Sequence, residues 1–379
     1  KMELSMTEND RAGQLTCHDE LNDILSSFPP GIVHAVGYGS GVFAQQQQRR
    51  ECNDGLNATT DDATNEELPM IDLIFVVDDP IAWHAENVRL YPHHYSFTSR
   101  TLGPKFISSV QQSSFGAKVY FNPLVESPSS WQREGTSRRM IKYGVVQTND
   151  LLSDLRQWDY LYLAGRMHKP TVTIGNEDEE IMQAQKECNL NYALASSLLL
   201  MERNDCSIGG TGVGKGGSVV CDLNVLFEEI ANLSYAGDPR MDIGGEDPAK
   251  VHKLVHSPGQ SERFWNLYRY GLEELHSKGL IHVTNGTTSQ KTLEYNPCDM
   301  STRSALFSML PPRLKQFPSS SNGSGELSQL QLARAITDIV KPAARDQSIK
   351  GALTAGIVRS VRYAGAKFAK GALRKFPLL

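Results

Sequence analysis

The chain has 379 residues, 40% hydrophobic and 21% charged, with 38 Lys+Arg against 43 Asp+Glu for a formal charge of −5. This composition excludes a disordered chain and a small disulfide-stapled scaffold, and the length suits two domains, or one large α/β domain with an appendage. Cysteines 17, 52, 188, 206, 221 and 298 form no CxxC pair, which excludes a zinc-ribbon or thioredoxin-type motif and fits free thiols in a reducing compartment.

In chain order, the first residues carry Glu3, Glu8, Asp10, Asp19 and Glu20, so no signal or transit pattern is visible. A helix is predicted over 17–27, ended by Pro29-Pro30-Gly31. An apolar strand over 32–36 runs into Gly37-Tyr38-Gly39-Ser40-Gly41, and residues 45–69 read as a polar insertion. A second strand, Met70 to Val77, closes at Asp78-Asp79-Pro80. Strands are predicted at 117–121, 141–146 and 171–174, with a helix over 151–164. Beyond a boundary near Asn176 the pattern is mainly helical: 178–202, 218–233, 261–275 and 327–339, with one short strand at 280–283. Two Gly/Ser-rich loops, 204–217 and 318–325, are predicted to be mobile. No run reaches the ~20 apolar residues of a membrane-spanning helix. The last 39 residues carry five Lys and four Arg against one Asp, a net of +8, which leaves −13 for the first 340. There Leu353, Ile357, Val361, Ala364, Phe368 and Ala372 recur at helical spacing, with Arg359, Arg362, Lys370 and Arg374 opposite. Such a basic amphipathic helix suits an anionic membrane surface; the alternative is a terminal helix packed on its own core.

Three motifs suggest chemistry and fall short of it. Gly209-x4-Gly214-Lys215-Gly216 lacks the Ser/Thr of a phosphate-binding P-loop and follows a helical stretch, so it reads as a loop. His252 and His256 have the spacing of a zinc helix, but Lys253 stands where a metalloprotease carries its glutamate, and the pair reads as incidental. Gly39-x-Gly41-x-x-Ala44 resembles a dinucleotide fingerprint, but a polar insertion follows instead of the required helix and acid-tipped strand.

The next strand points elsewhere. Asp72 lies among β-branched and aromatic neighbours, where a carboxylate is costly to bury unless it is paired or binds a cation. A Gly-Ser turn after one strand and an acid on the next is the layout of the nucleotidyltransferase superfold, in which the turn holds a triphosphate and the acid holds magnesium. The usual second acid is missing two residues away; Asp78, Asp79 and Glu126 are the candidates, unless one acid and triphosphate oxygens suffice.

These residues resemble a family, the mitochondrial translocator assembly and maintenance proteins, which are phosphatidate cytidylyltransferases. The matching stretches are GYGSGVFAQ (37–45), PMIDLIFVVDDPIAWH (69–84), HHYS (93–96), GAKVYFNP (116–123), IKYGVV (141–146), YLAGRMHKP (162–170), NLSYAGDPRM (232–241) and KGALTAGIVRSVRY (350–363). Pro239 is a departure, and the stretches 45–69 and 204–217 look peculiar to this member.

The resemblance implies transfer of CMP from CTP to phosphatidic acid, with Mg2+, on the matrix side of the inner mitochondrial membrane. It also implies a nucleotidyltransferase domain (1–175), a helical, winged-helix-like domain (176–340) and a membrane-contacting tail (341–379). On this reading Gly37, Tyr38, Gly39, Ser40, Gly41 and Lys142 bind nucleotide, Asp72 holds the metal, and Lys169 contacts phosphate. Arg240 either meets the lipid headgroup or pairs with Asp238, and Arg359, Arg362, Lys367, Lys370 and Arg374 face the membrane. Nucleic acid is not an expected partner, because the body of the chain is acidic. A nucleotidyltransferase with another acceptor, and a non-catalytic inner-membrane assembly factor, remain as alternatives.

Overall fold

The computed structural model describes residues 18–43, 69–128, 139–201, 212–213, 218–242, 249–285, 291–296, 299–317 and 327–355. The chain divides into two compact units. The first draws on Lys1–Asp150, Thr171–Glu179 and Ser348–Ala366, and the second on Leu151–Pro170, Glu180–Gln347 and Lys367–Leu379.

The first unit is built on a five-stranded mixed sheet. Helix α1 (residues 18–26) precedes β1 (Ile32–Tyr38), the short α2 (Ser40–Phe43) and β2 (Ile71–Val77). Helices α3 (Pro80–Leu90) and α4 (Phe97–Gln112) follow, then β3 (Val119–Glu126), β4 (Met140–Gln147) and, after α5 (Thr148–Gln157), β5 (Val172–Ile174). The order is β3-β4-β2-β1-β5; β2 and β4 run parallel and the other pairs antiparallel. One face carries Ile71, Leu73, Phe75, Val77, Ile141, Tyr143 and Val145, buried with Leu21 and Ile24 of α1 and with Trp83 of α3. Strand alternation therefore sends Asp72 and Lys142 to the opposite face.

Helices α3 and α4 were not anticipated from the sequence. Their starts are capped: Asp79 accepts from the N–H groups of Ile81 and Ala82, ahead of Pro80 at the first helical position, and Ser96 accepts from Ser99 N–H. Gly103, at φ +82° before Pro104, kinks α4 and breaks its period.

The second unit is helical with a small sheet. It contains α6 (Leu163–Met167), then α7 (Glu179–Gln183), a π-helical turn (Ala184–Asn189) and α8 (Leu190–Leu200) in succession, and α9 (Leu223–Asn232). Further on are α10 (Pro239–Asp242), α11 (Lys250–His256), α12 (Gln260–Ser277), α13 (Met300–Ser308), α14 (Pro312–Lys315) and α15 (Gln329–Ala355). An antiparallel sheet, ordered β6-β7-β9-β8, joins β6 (Gly212–Val213), β7 (Val219–Asp222), β8 (His282–Asn285) and β9 (Lys291–Tyr295).

Three sequence expectations change here. The helix expected over 218–233 opens as strand β7, which pairs with β9, and turns helical only at Asp222, whose side chain caps α9 by accepting from Asn224 N–H. The boundary expected near 175–176 is not a single cut: residues 151–170 belong with the second unit, because the buried Asp154 and Trp158 tie them to their neighbours there. The tail expected to begin at 341 is part of α15 up to Ala355, and its residues 348–355 count with the first unit. The insertion at 45–68, the loop 318–325 and the tail beyond 355 lie outside the described residues; of the loop 204–217, only Gly212–Val213 is described.

Candidate active site

Cross-strand register assembles the first group of residues. Tyr38 at the end of β1 pairs with Asp72 on β2, and Asp72 pairs with Lys142 on β4, so three sequence-distant side chains stand in one row. Lys142 Nζ lies 3.6 Å from Asp72 Oδ1, and both side chains are partly exposed, at 18% and 25%. The ammonium also sits 4.7 Å from the centroid of the Phe121 ring, which holds it over the sheet.

The turn after β1 requires its glycines, Gly39 for its backbone angle and Gly41 for space. Gly39 has φ +81°, and a Cβ there would stand 3.4 Å from Asp72 Oδ2. A Cβ on Gly41 would fall 2.1 Å from the Met70 carbonyl oxygen, so only glycine lets the two backbones approach. Arg139, almost fully buried, donates from Nη2 to the Gly41 carbonyl at 3.1 Å and forms a buried ion pair with Glu20 at 3.2 Å. Sequence reading missed this anchor, since nothing local relates Glu20, Gly41 and Arg139.

Asp72 offers one carboxylate to the face it shares with the glycine turn. Asp78 and Asp79 lie at the far end of β2, about 20 Å away at roughly 3.3 Å per strand residue, and both are engaged: Asp78 Oδ1 accepts from Thr148 Oγ1 at 2.6 Å, and Asp79 caps α3. Glu126, on the outer strand β3, pairs with Met140, two residues from Lys142 on β4. A carboxylate that is one-quarter exposed, faces an open glycine turn and meets its lysine at more than hydrogen-bonding distance fits magnesium, which takes one or two carboxylates and completes its shell with phosphate oxygens and water.

On the opposite face, a buried polar network braces the sheet. His84 bonds Tyr95 Oη through Nδ1 and Gln111 Oε1 through Nε2, both at 2.8 Å; Asn87 Nδ2 donates to Tyr95 and Tyr143; His94 Nδ1 meets Tyr143 Oη at 3.0 Å. Burial lowers the His84 pKa to about 4, so the ring is neutral and each nitrogen can serve one partner. The HHYS and DPIAWH stretches thus have a supporting role.

Lys169 and Arg240 belong to a second group, within the second unit. Lys169 Nζ donates to the Gly165 carbonyl at 3.2 Å and to Ser234 Oγ at 2.5 Å, and lies 4.3 Å from the Tyr235 ring centroid. Lys250 lies over the same ring at 5.3 Å. Arg240 grips the buried Asp238 with Nε at 3.0 Å and Nη2 at 2.6 Å, and Pro239 between them starts α10, where a missing N–H costs nothing. Lys169, Ser234, Tyr235 and Arg240, with Tyr162 and Arg166, line an open pocket. Burial, then the charges of Arg166, Lys250 and Arg240, push the Lys169 pKa well below its ordinary value, while Asp238 opposes this. Arg166, Lys169 and Arg240 thus bring three basic side chains to one pocket beside the buried Asp238, with Lys250 over the neighbouring Tyr235 ring, an arrangement whose charge suits an anion.

The loop into this pocket is held from inside. Trp158 and Leu161 adopt φ +61° and +50°, and the buried Asp154 carboxylate accepts from the N–H groups of Tyr160, Leu161, Leu163 and Ala164 at 2.8–3.0 Å. Asn189, on the π turn, accepts from Trp158 Nε1 and His168 Nε2 and donates to the Ala164 carbonyl. The predicted site residues therefore form two sets, Gly37–Gly41 with Asp72 and Lys142, and Lys169 with Arg240. Arg359, Arg362, Lys367, Lys370 and Arg374 lie outside the described residues.

Three relatives resemble the chain over nearly its whole length, each named mitochondrial phosphatidate cytidylyltransferase. The protein of Rattus norvegicus is 33% identical over 92% of this chain and 94% of its own length. That of Schizosaccharomyces pombe is 33% identical over 94% and 85%, and that of Drosophila melanogaster 34% over 91% and 96%. A family model described by the same name matches residues 21–370, taking in the turn, Asp72 and the cationic pocket alike, and the chain therefore belongs to the mitochondrial phosphatidate cytidylyltransferase family.

Proposed function

We propose that this chain transfers the CMP moiety of CTP to phosphatidic acid, giving CDP-diacylglycerol and pyrophosphate, with Mg2+ held at Asp72. The observation that carries the reading is the row of Tyr38, Asp72 and Lys142 beside a turn that admits only glycine at Gly41. The first unit is a nucleotidyltransferase domain and the second is winged-helix-like, a reading supported by the acid-bearing central strand of one and the helices and small sheet of the other.

A phosphate acceptor is already ionised, so no strong general base is needed, and charge is the main problem. Backbone N–H groups of Gly39, Ser40 and Gly41 bind the triphosphate, with Gly37 and Tyr38 setting the turn's entry. Lys142 adds a fixed positive charge beside Asp72. Magnesium, when bound, offsets the charge that gathers on the departing pyrophosphate. In the second unit Lys169 contacts phosphate, and Arg240, held by Asp238, contacts the headgroup of phosphatidic acid.

The product serves phosphatidylglycerol and cardiolipin synthesis on the matrix side of the inner membrane, where the basic tail holds the enzyme peripherally. Among the described residues no helix is long and apolar enough to cross a membrane.

The test is pyrophosphate release from each nucleoside triphosphate with Mg2+, with and without phosphatidic acid vesicles. Release from CTP alone, only with lipid, and at least about a hundredfold lower in Asp72→Asn with unchanged circular dichroism, is the expected result. Lipid-independent release would point to another acceptor. No release from folded protein would favour an assembly factor.

A further inference from the structure

His252 and His256 face the same side of α11, as i, i+4 spacing requires, with ring centroids 4.1 Å apart. The sequence supplies no third ligand nearby, but the fold does. Helix α9 packs on α11 and brings Glu228, so that His252 Nδ1 lies 2.9 Å and His256 Nε2 2.7 Å from the same carboxylate oxygen, Oε1. Among the described residues this is the one group of three His, Cys, Asp or Glu side chains able to offer ligand atoms within 4.8 Å of one another.

We propose that Glu228, His252 and His256 form a site for a divalent transition-metal ion of the zinc type. Two imidazole nitrogens and a carboxylate oxygen are the donors that such ions prefer over magnesium or calcium. Tetrahedral ligation at roughly 2.0–2.1 Å separates ligand atoms by about 3.3 Å. The present contacts need to widen by only about half an ångström for an ion to enter. The ion binds the lone pair of each neutral imidazole, so a ring whose N–H points at Oε1 shifts that proton to its other nitrogen, and two neutral imidazoles and one carboxylate hold the metal. The side chains are one-third to two-thirds exposed, so water completes the shell and no buried charge is created. The ion would fasten α11 to α9. Because α11 also carries Lys250, the clip would hold that lysine over Tyr235, whose ring lines the cationic pocket.

The experiment is calorimetric titration of tag-free, chelator-treated full-length protein with zinc ion alone, repeated with Co2+ for its visible absorption. One equivalent bound at micromolar or lower dissociation constant is expected, unaffected by millimolar Mg2+. Glu228→Gln should weaken binding at least tenfold, and the double variant H252A/H256A should abolish it. Circular dichroism should be unchanged in each, since all three side chains are at the surface. Absence of zinc binding in the unaltered protein, or equal affinity and stoichiometry in H252A/H256A, would overturn the assignment.

Discussion

Lys169 is the residue whose charge is most contested. It lies among Arg166, Lys250 and Arg240, and its pKa is held well below the ordinary 10.5 by burial first and these charges second. The protonated form is therefore disfavoured in the folded protein and restored by a bound phosphate. Two opposite pH trends result. As pH rises through the lowered value the free enzyme loses the proton it needs for phosphate, so kcat/KM falls on an alkaline limb centred below 10.5. Over the same window the unfolded chain holds more protons than the folded one, so stability rises. Lys169→Arg, which stays charged, should move the alkaline limb upward, while Lys169→Met should lose about a hundredfold below that limb, a deficit that narrows above it. An unmoved limb in the arginine variant would assign that titration to another group. Asp72 and the glycines stand out in the sequence because an acid inside an apolar strand and a glycine cluster after another are local anomalies, whereas Lys142 entered through the family resemblance. Arg139, Ser234 and Tyr235 do not stand out, since each acts only through partners brought close by folding.

Among the elements, continuous apolar strands were easiest to read: β1, β2 and β4 announce themselves as Val- and Ile-rich runs. Helix α4 hid behind Gly103-Pro104, β9 is too short for its alternation to register, and β7 was absorbed into the helix that follows it. The loop between α5 and α6 is held in place by Asp154 through four backbone donors, and Asp159 within it accepts from Ser153 Oγ. Asp154→Ala leaves two residues at positive φ and four N–H groups without that acceptor. A loss of about 3 kcal/mol in urea unfolding is expected, and activity should drop with it because Arg166 and Lys169 follow directly in the chain. A change within ±0.5 kcal/mol would show that water takes over the role.

At the scale of the whole molecule, α15 decides where the chain can be shortened. Lys350, pointing inward with its pKa lowered to about 8 by burial, donates from Nζ to the Gln111 carbonyl at 2.8 Å, while Ile349 and Leu353 face outward. A chain ending at Ala355 should keep its melting temperature and lose flotation with anionic vesicles. One ending at Gln347 should melt lower, having lost Lys350 from the first unit. Undiminished flotation of the longer truncation would remove the membrane role from the tail.

The first unit is assembled from three separated stretches of sequence, the last of them beginning at Ser348. A ribosome delivers such a chain from its N-terminus, so β5 emerges after the strand it pairs with, and Lys350 long after the helix α4 whose carbonyl it meets. All strands of the sheet bearing Asp72 have emerged once Ile174 is made, but the unit around it waits for the stretch from Ser348. A fragment screen that cuts this chain once, anywhere between 180 and 347, will separate the first unit from part of itself.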